Sequence, residues 1–329
     1  RYGNFSTYVD TYSEVYDLQL DLHIPSALIF SDGHALLTAV DNSSHLIAGK
    51  VGSWGYVEGQ GEKARFYGIT SLLQANSTAV IVVDKWNHCL RSIDRITNQT
   101  AVFAGNCTQY GKKEGKLSDA RFAYPTDIIT AGDVMVLTDT YNMAVKAIIS
   151  SQNTQVVSTV AKGGILRYPK YLAANEANDI YVIVNDGLVK IPAGSNEPMA
   201  LSSVKKGYMD GQTSVSQFYA IDQIELLYDK ILVVTDTGNQ QLRLVDLQND
   251  TVETIIELPN KISRSVLITD DKIYIGSYKH IYQVDATGDN LISFNVWVGG
   301  ASMHFFIWVR YSEIHDKLIM RNRKPFSII

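Results

Sequence analysis

The stretch Ala79–Cys107, AVIVVDKWNHCLRSIDRITNQTAVFAGNC, decides how the whole chain is read. It holds three short apolar runs, Ala79–Val83, Leu90–Ile93 and Ala101–Ala104. An Asp-x-x-Asn corner (Asp84, Asn87) separates the first two, and a polar turn, Thr97–Thr100, separates the last two. Such runs predict a β-meander whose strands are too short to fold alone. Related versions recur at intervals of about fifty residues, and that periodicity predicts an all-β propeller.

Outward from this stretch the parts repeat. The approach Gly61-Glu-Lys-Ala-Arg-Phe66 returns as Gly115-Lys-Leu-Ser-Asp-Ala-Arg-Phe122. The corner returns at Asp139 and Asn142, followed by Lys146, and again at Asp236 and Asn239, followed by Arg243. Units are expected at about 64–106, 120–162, 164–203, 207–258 and 259–300, the third with its corner shortened to Asn185-Asp-Gly187. The tail, 301–329, opens a further unit, and the first residues, 1–50, are short by a strand. Pairing the two ends in one shared blade closes the ring and removes two exposed edges. The expectation is therefore a single domain over 1–329 with six blades, or seven if the first unit is a blade in its own right.

These residues resemble NHL repeats. The match lies in the approach ending Ala-Arg-Phe (64–66, 120–122) and in the Asp-x-x-Asn-x-x-[LV]-[RK] corner. The Ala-Gly pairs, Ala48-Gly49 and Ala104-Gly105, belong to the same pattern. The resemblance spans roughly residues 23–300, and it implies a propeller whose corner residues are folding elements. Short Asp and Asn side chains bond nearby backbone groups at tight connections. The next Leu or Val re-enters the core, and Arg91, Lys146 and Arg243 turn to the other face of the strand. Asp84, Asn87, Asp139, Asn142, Asp236 and Asn239 are accordingly read as turn chemistry rather than as a ligand set.

The compartment is read from six Asn-x-Ser/Thr sequons, at Asn4, Asn42, Asn76, Asn98, Asn106 and Asn249. Asn98 and Asn249 fall in predicted hairpin turns, where an N-linked glycan stays solvated. A hairpin centred on Asn98 sets Cys89 opposite Cys107 on adjacent antiparallel strands, within reach of a disulfide. The alternative is two free buried thiols. The oxidised pair and the sequons together make the chain resemble the extracellular NHL proteins, secreted or at the cell surface. It starts at Arg1 with no signal peptide visible, which reads as a processed chain or an excised fragment.

A net charge of -5 and the lack of any Lys/Arg run exclude a nucleic-acid surface. The longest strongly apolar run near the end, Phe305–Val309, is far shorter than a membrane span. The 19 Tyr suit half-buried pleated surfaces.

Some propeller relatives are enzymes, so chemistry has to be sought. Resemblance to the peptide-amidating lyase implies zinc held by histidines from several blades. Here His23, His34, His45, His88, His280, His304 and His315 leave the middle of the chain without an imidazole. Calcium-dependent propeller lactonases use acidic and amide groups at the channel, where Asp127, Asp222 and Asn175 are expected near the starts of innermost strands. No Gly-x-Ser-x-Gly, phosphate loop or zinc-spaced Cys/His cluster occurs. The expectation is a noncatalytic binding or assembly module, not an enzyme, with no required cofactor and a structural calcium in the channel left open. The alternative is a channel enzyme of the zinc-lyase or calcium-hydrolase kind.

Aromatic residues outside the strands point to the partner. Trp54, Tyr56, Tyr67, Trp86, Tyr110, Tyr124, Tyr141, Tyr208 and Tyr219 fall in or beside loops that gather on the faces of a propeller. Two uses compete: plugging gaps between blades, and forming a recognition surface for a protein partner, such as another subunit of an extracellular assembly. Trp86 and Tyr141 hold equivalent places within the corner, and they and Trp54 are the candidates for the binding face.

Overall fold

The computed structural model describes residues 7–41, 43–151, 154–185, 187–227, 229–257, 265–268, 272–285, 291–298 and 301–308. It is an all-β propeller. The first blade consists of Asp17–Leu20, Leu28–Ser31, Ala35–Val40 and Ser43–Gly49. The second consists of Ile69–Asn76, Ala79–Asp84, Cys89–Asp94 and Thr100–Gly105. Pro125–Ala131, Val134–Asp139, Ala144–Ser151 and Thr154–Lys162 form the third, with Gly115–Lys116 along its outer edge. The fourth is Pro169–Ala174, Ile180–Val184, Gly187–Ile191 and Met199–Ala200. The fifth is Ile221–Leu227, Ile231–Asp236, Gln241–Asp246 and Thr251–Glu257, edged by Gly211–Gln212. Every blade is an antiparallel meander, and the first strands of successive blades touch around the axis.

There are five blades, not the six or seven expected. Between the fifth and the first lies a smaller, three-stranded sheet. Its inner strand, Ser265–Ile268, touches the first strands of both neighbouring blades. Its middle strand, Lys272–Asp285, pairs with Ser265–Ile268 through its first half and with Thr7–Glu14 through its second. The N-terminal segment does join a C-terminal one, but residues 17–49 form a blade of their own rather than sharing one with 301–329. Leu291–Val298 and Ala301–Trp308 form a separate two-stranded hairpin, and residues 309–329 lie outside the described residues.

The core sits between blades rather than within them. Ile47 and Ala48 of the first blade pack on Ile69, Leu72, Val80 and Val82 of the second. The same arrangement recurs at the next three junctions. This explains the approach motif: Phe66 and Phe122 are wholly buried, each wedged against the end of the preceding blade. A Cβ on Gly49, at φ 97°, would lie 2.4 Å from the His34 carbonyl oxygen and 3.0 Å from Phe66. One on Gly105, at φ 93°, would lie 3.0 Å from Phe122. Glycine is required in the Ala-Gly pair by both conformation and space.

Candidate binding face and central channel

Each full corner is a buried clamp. Asp84 Oδ1 accepts the Tyr67 amide at 2.7 Å, while Oδ2 accepts Asn87 Nδ2 at 2.8 Å and Arg91 Nη1 at 3.3 Å. Asn87 Nδ2 also donates to the Gly55 carbonyl, and Arg91 donates to the carbonyls of Arg65 and Val57. Asp139 gathers the Ala123 amide, Asn142 and Lys146 in the same way. Asp236 gathers the Tyr219 amide, Asn239 and Arg243. The other face to which Arg91, Lys146 and Arg243 turn is not solvent. All three are buried, and the two guanidinium groups lie 4.3 Å from the Phe66 and Phe218 ring centres. The corners end in left-handed His88, Met143 and Gln240, at φ 60°, 51° and 56°, a conformation costing a non-glycine residue about 1–2 kcal/mol.

The clamps hold aromatic side chains at one end of the propeller. In an antiparallel blade the first strand begins where the second ends, so approach loops and corners share that end. Trp54 stacks on Tyr67 at 4.8 Å, and Tyr67 on Trp86 at 5.7 Å. Trp86 meets Tyr124 edge-on at 5.1 Å, Tyr124 meets Tyr141 at 4.5 Å, and Tyr141 meets Tyr168 at 5.6 Å. His88 joins the arc from below. Its Nδ1 accepts the Tyr124 amide at 3.2 Å, and its ring lies edge-on to Tyr124 and Tyr110. Burial pulls the His88 pKa down, which favours the neutral ring this acceptor role requires. The arc crosses the second, third and fourth blades, yet Trp54 is 64% exposed, Trp86 48% and Tyr141 58%. Continuous exposed aromatic surface of this kind marks interaction sites.

The arc stops for visible reasons. The fourth blade's shortened corner carries no aromatic residue, and Gly238 takes the place of Trp86 and Tyr141 in the fifth. A Cβ on Gly238 would lie 2.4 Å from the Tyr219 carbonyl oxygen. Tyr219 instead lies under the Lys206 ammonium, 3.5 Å from its ring centre. Sequence reasoning missed Tyr168, although Tyr168-Pro169 repeats Tyr124-Pro125 at the start of an innermost strand.

Inside the ring is a channel cavity of about 380 Å³ lined by Asp17, Asp127 and Glu225 among leucine and isoleucine side chains. Asp17 accepts the Leu18 and Leu72 amides, and Asp127 accepts those of Ile128 and Leu172. Each thus latches its own blade to the next. Burial pushes Asp17 up to about 7 and Asp127 to about 6, against the pull of these amides. Burial, reinforced by repulsion from both aspartates, pushes Glu225 up to about 7. Of the residues expected here, Asp127 lines the channel; Asn175 follows the end of its strand and accepts the Asp179 amide. Asp17 and Glu225 were missed, the former despite the Asp17-Leu18, Ser71-Leu72 and Asp127-Ile128 pattern. Among the described residues no group of three or more His, Cys, Asp or Glu converges as a metal site.

Cys89 and Cys107 are disulfide-bonded, with Cα atoms 5.0 Å apart. The register differs from the expectation: Cys89 faces Gly105, because the hairpin turns about Ile96–Thr97 rather than about Asn98, and Cys107 closes from two residues beyond the strand. Asn76 and Asn249 are exposed, Asn98 and Asn106 half-buried, and Asn4 and Asn42 lie outside the described residues. Among the described residues no helix is long and apolar enough to cross a membrane.

No protein-family profile matches the chain, and no curated protein matches it. Similar folds occur among solved structures. An auxiliary nutrient binding protein from Bacteroides ovatus is 9% identical, with a TM-score of 0.62 over 83% of this chain and 69% of its own. A gluconolactonase from Xanthomonas campestris is 13% identical, at 0.59 over 85% and 88%. A virginiamycin B lyase from Staphylococcus aureus is 10% identical, at 0.53 over 82% and 94%. The expectation that the chain is not an enzyme is therefore corrected. Lyases and a lactonase share this architecture as binding proteins do, so the fold supplies no ground for excluding catalysis.

Proposed function

We propose that this protein is an extracellular recognition propeller of NHL-like type that holds a partner protein on its aromatic loop face. The observation that carries this reading is the uninterrupted ring-to-ring arc from Trp54 to Tyr168, in which Trp54, Trp86, Tyr141 and Tyr168 are exposed and half-buried Tyr67 and Tyr124 link them. Rigid aromatic side chains lose little conformational freedom on binding and dominate the energetics of protein interfaces. Nutrient binding proteins of the same fold support a binding role. A photo-reactive residue placed at Trp86 or Tyr141 is expected to cross-link one saturable protein partner. The same group at Ile96, exposed in a turn at the opposite end, is expected to capture none. Trp86→Ala with Tyr141→Ala should weaken that capture about tenfold or more. Equal capture from Ile96 refutes the face assignment.

The extracellular part of the reading rests on the disulfide, which persists in oxidising compartments, and on the sequons. Asn76 ends a strand and Asn98 and Asn249 lie in turns, all three at the end opposite the arc, where glycans leave the aromatic face clear; Asn106, just after Thr100–Gly105, lies at the arc's end. Protein from a secretory eukaryotic host is expected to lose mass on enzymatic deglycosylation, with Asn76 modified. Bare asparagines and free thiols in the native protein would place it inside the cell.

A further inference from the structure

The two ends of the propeller carry opposite charge. At the corner end, exposed cations stand in the connections between successive blades. Lys50 follows the first blade, and its carbonyl accepts the Ser53 amide just ahead of Trp54. Lys162 closes the third blade opposite Ala144, beside the corner that carries Tyr141. Arg167 directly precedes Tyr168, the last ring of the arc. Lys205 and Lys206 follow the fourth blade, and the Lys206 ammonium lies 3.5 Å from the Tyr219 ring centre. All five are exposed. Among the described residues none of the five is in an ion pair.

The corner acids are already engaged. Asp32, Asp84, Asp139 and Asp236 are buried, and each accepts a backbone amide. Glu58 and Asp210, on the outer edges, pair with the buried Arg91 and Arg243. The turns of the opposite end instead expose the acids Asp41, Asp94, Asp133, Glu176, Glu197 and Asp250. A chain with a net charge of -5 thus sets unpaired positive charge around its exposed rings. Such a field draws an oppositely charged partner to the surface and fixes how it docks.

The spacing says what kind of anion fits. Heparin-like polyanions are met by dense runs of Lys and Arg. Here the cations stand singly or as one pair, with aromatic rings between them. That alternation suits a polypeptide segment in which carboxylates alternate with large apolar side chains. The carboxylates pair with Lys and Arg, and the apolar groups cover the rings.

The geometry points to an acidic peptide segment, Asp and Glu interspersed with apolar residues, as the part of the partner protein held on this face. This rests on the aromatic face being the binding face, and it adds the charge of what binds there.

Fluorescence anisotropy with the full chain and a labelled peptide repeating Asp-Leu-Glu-Phe three times tests it, against the uncharged repeat Asn-Leu-Gln-Phe. The acidic peptide is expected to bind about tenfold or more tightly than the uncharged one. Raising the salt from about 0.05 M to about 0.5 M should remove most of that difference. Arg167→Glu with Lys206→Glu should weaken the acidic peptide about tenfold or more, chiefly by slowing association, whereas Trp86→Ala should speed dissociation. Glu176→Lys, at the opposite end, should change the affinity by less than about twofold. Equal binding of the two peptides overturns the proposal. So does an absence of acidic-peptide binding up to about 1 mM, or a charge-reversed chain that binds as well as the parent. Heparin bound more tightly than the peptide and undiminished by Trp86→Ala would assign the face to a polysaccharide and overturn it too. Self-association of the chain abolished by the same charge reversal would do so by assigning the face to a second copy. Photo-capture of a protein from Trp86 that persists in any of these cases leaves the aromatic face standing without its acidic partner; loss of capture removes both. If the charge-reversed chain does not fold, the peptide comparison and salt series on the unaltered chain decide.

Discussion

Asp84→Asn is expected to lower the stability of the folded chain by about 3–5 kcal/mol, seen as a shifted denaturant midpoint by tryptophan fluorescence. The replacement has the same shape, so packing is not the issue. Its amide oxygen can still accept from Tyr67, but its NH2 group would then face Asn87 Nδ2 and Arg91 Nη1, both donors. Arg91 is wholly buried and cannot deprotonate. Losing its carboxylate leaves a charge with only backbone carbonyls, the Thr100 hydroxyl and the half-exposed Glu58 for company. The intact pair is not itself a large source of stability. Burial pushes Asp84 up to about 6 although Asn87, Arg91 and the Tyr67 amide oppose it, so desolvation outweighs the attraction. The asymmetry predicts a second result: Asp84→Leu combined with Arg91→Met should cost less than either change alone suggests, with a clear coupling in the double-mutant cycle. Trp54 and Trp86 flank this corner and report on it directly. A loss below about 1 kcal/mol in Asp84→Asn would put the clamp among weak surface-type pairs.

The clamp also shows what the chain makes legible. Asp84, Asn87, Asp139, Asn142, Asp236 and Asn239 were readable as turn chemistry because short polar side chains at fixed offsets have few other uses. That the following cation is buried was not readable, since Arg and Lys are mostly surface residues. The blade count failed at one element. The unit expected over 259–300 needs a turn inside it, but the structure runs straight through Gly276–Lys279 as the single strand Lys272–Asp285 and gives its second half to the N-terminal strand. A partner distant in sequence overrides a weak local turn signal. Register failed similarly, because the hairpin turns about Ile96–Thr97 and not about Asn98, and the run of polar residues there does not fix its centre. In the arc, Trp54, Trp86 and Tyr141 were visible as unexplained aromatics, whereas His88 as a neutral acceptor beneath Tyr124 depends on contact between blades. The channel acids were hardest, because a single Asp or Glu at a strand start looks like any solvated charge until the ring closes around it.

Replacing both cysteines by alanine is expected to cost about 3 kcal/mol, from the chain entropy of a loop closed over 18 residues. The effect should not spread evenly. The bond ties the start of Cys89–Asp94 to the residues just beyond Thr100–Gly105, and the Thr108 amide donates to the Asn87 carbonyl beside it. Opening it frees the corner that holds Trp86 and His88 at the middle of the aromatic arc. Amide exchange should therefore rise most across 86–91 and 105–110, while the fourth and fifth blades, sharing no contact with the bridge, keep their protection. Both sulfurs are buried, so a mild reductant should leave the folded protein oxidised and act only as the chain opens. The two readouts separate two roles. A midpoint shift with uniform exchange makes the bridge a general brake on the unfolded chain. A shift with exchange concentrated at the corner, together with weakened partner capture at Trp86, makes it the element that keeps the binding face rigid.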